Sequence, residues 1–157
     1  MVAGTFIQST ALLNGTYFQD AVIYITECNS KGAVGFIVNR LFPRKFNALE
    51  EYKHSIPFPL YEGGPVDTEH LFCIHRQPGI ITGGALVAHN VYLGGDFKQA
   101  VRYINTSTTA PGNIKLFIGY CGWDDNELDE EIAEGSWITL PVSSDDIDKY
   151  LFKLPLA

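Results

Sequence analysis

The chain of 157 residues carries 18 acidic and 11 basic side chains, for a formal net charge of −7. With 46% apolar and 18% charged residues it has a globular rather than a disordered composition, and its length suits one domain over residues 1–157. The acidic balance opposes non-specific attraction to phosphate backbones or anionic lipid, and no run of about 18 apolar residues offers a membrane-spanning helix.

Three cysteines, Cys28, Cys73 and Cys121, form an odd set without close spacing. They predict no disulfide framework and fit a reducing, cytoplasmic compartment. The N-terminal residues lack the basic and apolar regions of a signal peptide. Fifteen glycines and 13% aromatic residues lean toward strands and tight turns over a helical bundle.

In chain order, residues 3–8 read as a first strand and residues 12–15 as an Asn-Gly turn. Two β-branched runs, 21–27 and 33–39, flank a polar and glycine segment and predict a hairpin. Phe46, Leu49 and Tyr52 share a three-residue spacing, which predicts a short helix ended by the prolines at 57 and 59. Residues 59–66 read as a turn, 70–75 as a strand and 86–93 as a further strand, with helix as the alternative. Asp96 is placed to cap a helix through Asn105 whose apolar stripe is Phe97, Ala100, Val101 and Ile104. The run 115–119 reads as a strand feeding a turn at Gly119–Trp123. Asp124 and Glu127 then have capping-box spacing for a helix carrying Leu128 and Ile132. Residues 137–140 read as a last strand, and Ser143 and Asp146 repeat the capping spacing before a final helix that buries Ile147, Tyr150 and Leu151. Strand pairs with scattered helices, without regular βαβ alternation, make the fold class α+β.

Three segments taken together resemble the YqgE/AlgH family, also called UPF0301. They are Gly32–Arg40, the Gly63-Gly64-Pro65-Val66 turn with the strand ending at His75, and Gly119–Trp123 followed by 128–132 and Trp137. The opening strand and the 21–25 stretch follow the same pattern, so the likeness runs from about Gly4 to Trp137. Leu41 stands where the family usually has proline, Cys121 fills the small position between tyrosine and glycine, and residues 124–127 replace a common Gly-Gln pair. The resemblance implies an AlgH-like domain with a branched, partly barrel-like mixed sheet surrounded by helices. It implies no established activity. Some members carry a transcriptional-regulator label tied to alginate genes.

The chemistry-bearing residues have competing readings. Cys121, between two glycines, has the setting of a turn-borne nucleophile, with His75 or His89 as a base. However, Trp123 stands where a nucleophile elbow needs glycine, and nearby carboxylates would raise the thiol pKa. Packing is the preferred reading. Cys73 and His75 alternate onto one strand face but have no second ligand pair at metal spacing. Residues 124–131 lack the glycine and length of a calcium loop, and a solvated helix face accounts for them. The Gly63-Gly64-Pro65 turn matches neither phosphate-binding glycine pattern, so no cofactor is expected. Lys31, Arg40, Arg44 and Lys45 form the one modest basic neighbourhood, without a DNA-reading module, and direct nucleic-acid binding is not expected.

The expectation is therefore a non-enzymatic binding or regulatory domain. Its partner is a protein or a small molecule, met at a surface of Asn39, Arg40, Gly63, Gly64, Pro65, His75, Tyr120, Cys121, Gly122 and Trp123. The alternatives are a regulator acting on DNA and a thiol- or metal-assisted hydrolase.

Overall fold

A computed structural model describes residues 1–153, and the last four residues of the expected domain lie outside the described residues. Nine strands form one mixed sheet: β1 (Phe6–Ser9), β2 (Val22–Asn29), β3 (Gly32–Ile37), β4 (Leu60–Glu62), β5 (Val66–His75), β6 (Ala85–Ala88), β7 (Val91–Leu93), β8 (Ile114–Asp124) and β9 (Trp137–Leu140). The order is β6-β7-β5-β8-β3-β2-β1-β9, with β4 joined to β8 as a branch. The partly barrel-like sheet implied by the resemblance is corrected here: the sheet is open. Its terminal strands β6 and β9 do not pair with each other, so the ladder is never closed. The sheet does curl, bringing Gly4 against Ala88.

The central strand β8 makes the branch. Its N-terminal half pairs with β5 on one edge and, in parallel, with β4 on the other. From Cys121 to Asp124 the β4 edge passes to β3. The change of neighbour occurs at Gly119, whose φ of +73° is open to glycine and strained for other residues. That one residue also reverses the alternation of faces. Before it, Phe117 packs inside the curl while Ile114 and Leu116 face outward; after it, Tyr120 packs inward and Cys121 and Trp123 outward. The residues expected to form a turn are thus a bent continuation of the strand.

Three apolar clusters result. The first fills the curl with Phe6, Tyr24, Phe36, Tyr61 and Phe117, and Leu151 and Phe152 of the C-terminal segment cover it. The second lies between the outer face of β8 and α1 (Phe97–Thr106), which buries Ala100, Tyr103 and Ile104. Asp96 caps α1 by accepting from the Gln99 amide, as its spacing predicts. The third joins β2, β3 and the end of β8 to Leu128 of α2 (Glu127–Ala133) and to Trp137. The short α3 (Ser144–Ile147) runs on into a wider helical turn over Asp148–Phe152. At its start the Ser143 amide donates to Asp146, and the Asp146 amide returns to the Ser143 hydroxyl, the expected capping box.

Several local expectations are revised. The helix over 45–52 is two separate 3-10 turns, Phe46–Ala48 and Glu50–Tyr52. The strand over 86–93 is the hairpin β6–β7, turned by His89 and Asn90, both at positive φ. α2 is preceded by Asn126 in the left-handed conformation with no side-chain cap, so Asp124 and Glu127 form no capping box.

The branch depends on backbone lying against backbone. A Cβ on Gly64 would sit 2.6 Å from the Cys121 nitrogen and closer still to the Tyr120 carbonyl, whereas one on Gly122 would meet nothing nearer than the Tyr120 ring at 3.6 Å. Gly64→Ala is therefore expected to destabilise by roughly 2–3 kcal/mol and Gly122→Ala by less than about 0.5 kcal/mol in urea unfolding, and equal losses would contradict this packing.

Candidate functional site

The expected site residues gather at the branch, with one exception. After β3 the chain turns back antiparallel to β4, with the Glu62 amide donating to the Arg40 carbonyl at 2.8 Å. Gly63 locks three strands together. Its amide donates to the Ile118 carbonyl of β8 at 2.8 Å, and its carbonyl accepts from the Ile37 amide at 2.9 Å. The Cys121 thiol donates to that same carbonyl at 3.4 Å.

Asn39 and Arg40 are clamps on the loop before β2. The Asn39 side-chain oxygen accepts from the Val22 amide at 3.0 Å, and its NH₂ donates to the Asp20 carbonyl at 2.8 Å. Arg40 donates to the Gln19 carbonyl at 3.2 Å, pairs with Glu62 at 3.6 Å and lies 4.9 Å from the Tyr17 ring centre. Its side chain remains 27% exposed, and Asn39, Pro65, Val66 and Gly122 are exposed as well.

The remaining residues are packed. Cys121 is 1% exposed, and burial pushes its thiol up to about 12, partly opposed by the Arg40 charge. Cys73 is buried likewise and raised to about 11. A thiolate is the nucleophilic form, so burial keeps both thiols unreactive at neutral pH. Tyr120 is half-buried, edge-on to Phe72 at 5.7 Å. Trp123 is 7% exposed and meets Trp137 edge-to-face at 6.1 Å.

His75 is the exception. It lies at the far end of β5, opposite Ile114 rather than Tyr120. Fully buried, it accepts from the Gln77 amide through Nδ1 and donates through Nε2 to the Gly94 carbonyl at 2.9 Å. Burial lowers its pKa and holds the ring neutral. The two bonds fix its tautomer and make it a strut for the loop at Gly94.

Two charged residues do inward work that the sequence does not announce, and one of them, Glu131, corrects the solvated-face reading of residues 124–131. Glu131 accepts from both indoles, from Trp137 Nε1 at 2.9 Å and Trp123 Nε1 at 3.3 Å. Its position three residues after Leu128 and one before Ile132, on the buried side of α2, was the available signal. Lys115 sits inside the curl, 4% exposed, donating to the Val38 carbonyl at 2.9 Å over the Tyr61 ring at 4.0 Å. Burial brings its amine down to about 7. Its place at an alternate position beside Phe117 marked it as inward-facing, but a lysine starting a strand reads as solvent-exposed.

The AlgH-like family pattern matches residues 6–153 of this chain. The chain belongs to the AlgH-like family. A UPF0301 protein of Chlorobaculum parvum is 32% identical over 152 residues, covering 94% of this chain and 80% of its own length. One from Chlorobium limicola is 36% identical over 138 residues, covering 87% and 73%. The AlgH solution structure from Pseudomonas aeruginosa superposes with a TM-score of 0.72 at 23% identity, over 97% of this chain and 81% of that one. A crystal structure from Corynebacterium diphtheriae gives the same TM-score at 18% identity, over 93% and 78%. Both likenesses extend to the fold alone. Among the described residues of this AlgH-like chain, no helix is long and apolar enough to cross a membrane.

Two outcomes follow from the buried groups. Lys115 drops from 10.5 to about 7 on folding, so between those values the unfolded chain holds a proton that the folded chain has released. Lys115 therefore makes stability rise with pH by up to about 1.4 kcal/mol per unit from about 7 upward, with its penalty fully present below. Near 9 the buried thiols of Cys73 and Cys121, which keep their protons only in the folded chain, begin to oppose it. Urea unfolding of Lys115→Met is expected to lose this slope; an unchanged slope would assign it to another group. Iodoacetamide on the folded protein is expected to label half-exposed Cys28 and spare Cys73 and Cys121, and mass mapping reads the result.

Proposed function

We propose that this chain is a cytoplasmic, non-enzymatic binding or regulatory domain, extending over residues 1–157, that engages a protein or small-molecule partner around the β3–β4–β8 branch. The observation that carries this reading is the division of labour there. Cys121, the one side chain at the branch suited to covalent chemistry, is sealed under Gly63, while the Arg40 guanidinium and the Pro65–Val66 corner remain open to solvent. Gly63, Gly64, Cys121 and Trp123 shape this surface from beneath, and the exposed Asn39 borders it. Tyr120 and Gly122 flank it, and His75 belongs to a separate structural strut.

An arginine already held against an aromatic ring, with its fork partly free, pays little ordering cost on meeting a carboxylate or carbonyl. Because Arg40 also supports the 17–22 loop, Val66→Asp is the cleaner probe of the surface. Wild type, Arg40→Glu and Val66→Asp would be compared by isotope-labelled affinity capture and native mass spectrometry, with melting curves as the folding control. A specific partner or bound mass should fall at least tenfold in both variants. Retention of every captured species by both folded variants would remove the branch surface from consideration.

A further inference from the structure

A second surface lies on the outer side of the sheet, across the two 3-10 turns. Between Val66 and Leu71 the ladder of β5 with β8 breaks, since Val66 pairs with Tyr120 and Leu71 with Ile118. Asp67–His70 form no pair in that ladder and stand exposed, with Asp67 at a φ of +54° and its carboxylate bonded to His70. Facing them is the segment from Phe42 to Tyr52. Two depressions run between these walls, of about 420 Å³ and about 250 Å³. They share Leu49, Glu69, His70 and Leu71, and so form one groove.

The larger depression has a rigid apolar floor and an acidic rim, while Arg44, over the Phe42 ring at 5.8 Å, and Glu62 line the smaller one. Tyr52 is stacked on Phe46 at 4.5 Å and meets Phe97 edge-on at 5.9 Å, so its ring is fixed without a ligand. Glu50, Glu51 and Glu69 line the larger depression. Glu50 is bonded to Lys53 and His70 to Asp67, but Glu51 and Glu69 form no ion pair among the described residues. Uncompensated carboxylates beside aromatic rings suit a guanidinium, whose stem lies on apolar surface while its fork meets carboxylate. A strand stretch outside any ladder offers main-chain groups to an added strand.

We propose that this groove docks an extended segment of a partner protein in which arginine alternates with apolar residues. Apolar side chains lie on Leu49, Tyr52 and Leu71, arginine reaches Glu51 and Glu69, and the peptide backbone runs along Asp67–His70. The proposal rests on the binding reading above and names its partner chemistry on an adjoining surface that meets the first at Glu62 and Val66; Glu51→Lys/Glu69→Lys leaves Arg40 and Val66 unaltered and so tests the groove by itself.

The probe is a fluorescein-labelled hexapeptide alternating leucine and arginine, titrated at low salt and followed by anisotropy and by amide shifts of the labelled protein. Shifts should centre on 49–52 and 67–71. Affinity should fall at least tenfold for Glu51→Lys/Glu69→Lys and for the same peptide with citrulline replacing arginine, and stay within twofold for the charge-matched Glu127→Lys/Glu134→Lys at exposed positions around α2. Both charge changes sit on exposed positions, and a melting curve confirms that the double variant folds. Shifts centred on the acidic α2 instead, or unchanged affinity of the double variant, would overturn the proposal. Arginine amide binding the groove as tightly as the peptide would overturn it in favour of a small-cation site.

Discussion

The architecture depends on a single change of direction in β8. At Gly119 the strand takes a left-handed residue, exchanges β4 for β3 along one edge, and reverses which side chains point into the curl. A regular strand would have kept one alternation throughout and sent Tyr120 away from Phe36 and Phe72. The reversal allows one strand to serve two packing problems, α1 on its first half and α2 on its second. Gly63 and Gly64 exist opposite this bend because two main chains meet there with no room for a side chain between them. The glycine motifs are geometric necessities of a branched sheet.

That origin changes what the polar residues near the branch are for. Asn39 and Arg40 end a strand abruptly because their side chains replace the ladder, bonding to carbonyls and an amide of the loop before β2. These bonds are solvent-exposed, so each contributes at most about 1 kcal/mol net. The interior of the curl follows another rule. Lys115 satisfies one carbonyl and lies over one ring, yet the Tyr24 and Tyr61 hydroxyls beside the same cluster find no partner among the described residues. This core is held by aromatic area and tolerates polar groups that a smaller one could not.

Elements governed by local signals were legible in the sequence. The β2–β3 hairpin, the Asp96 cap of α1 and the Ser143–Asp146 capping box each depend on residues within a few positions of one another. Elements decided by distant partners were not. The β6–β7 turn is His89-Asn90, with histidine where asparagine or glycine is usual, so the polar pair reads as part of one strand from Leu86 to Leu93 rather than as a turn. The Gly119 bend read as a turn because a positive-φ glycine signals both, and only the presence of β3 alongside makes the chain continue as a strand. For the site, most of the branch residues were identified because backbone crowding leaves a glycine signature, whereas His75 shared a segment with them but not a location. The groove was invisible: it exists only where a break in one ladder faces turns twenty residues earlier in the chain.

The carboxylate of Glu131 binds the chain's only two tryptophans into one unit, edge-to-face and hydrogen-bonded to a common acceptor. One indole is on β8 and the other begins β9, with the acceptor on α2. All intrinsic indole emission therefore originates at one junction of three elements. Its wavelength and polarisation register the loosening of α2 from the sheet, and are silent about events at α1 or at the far end of β5. Fluorescence from this protein is a local gauge, and a transition it reports ahead of circular dichroism would mark that helix as the first part to leave.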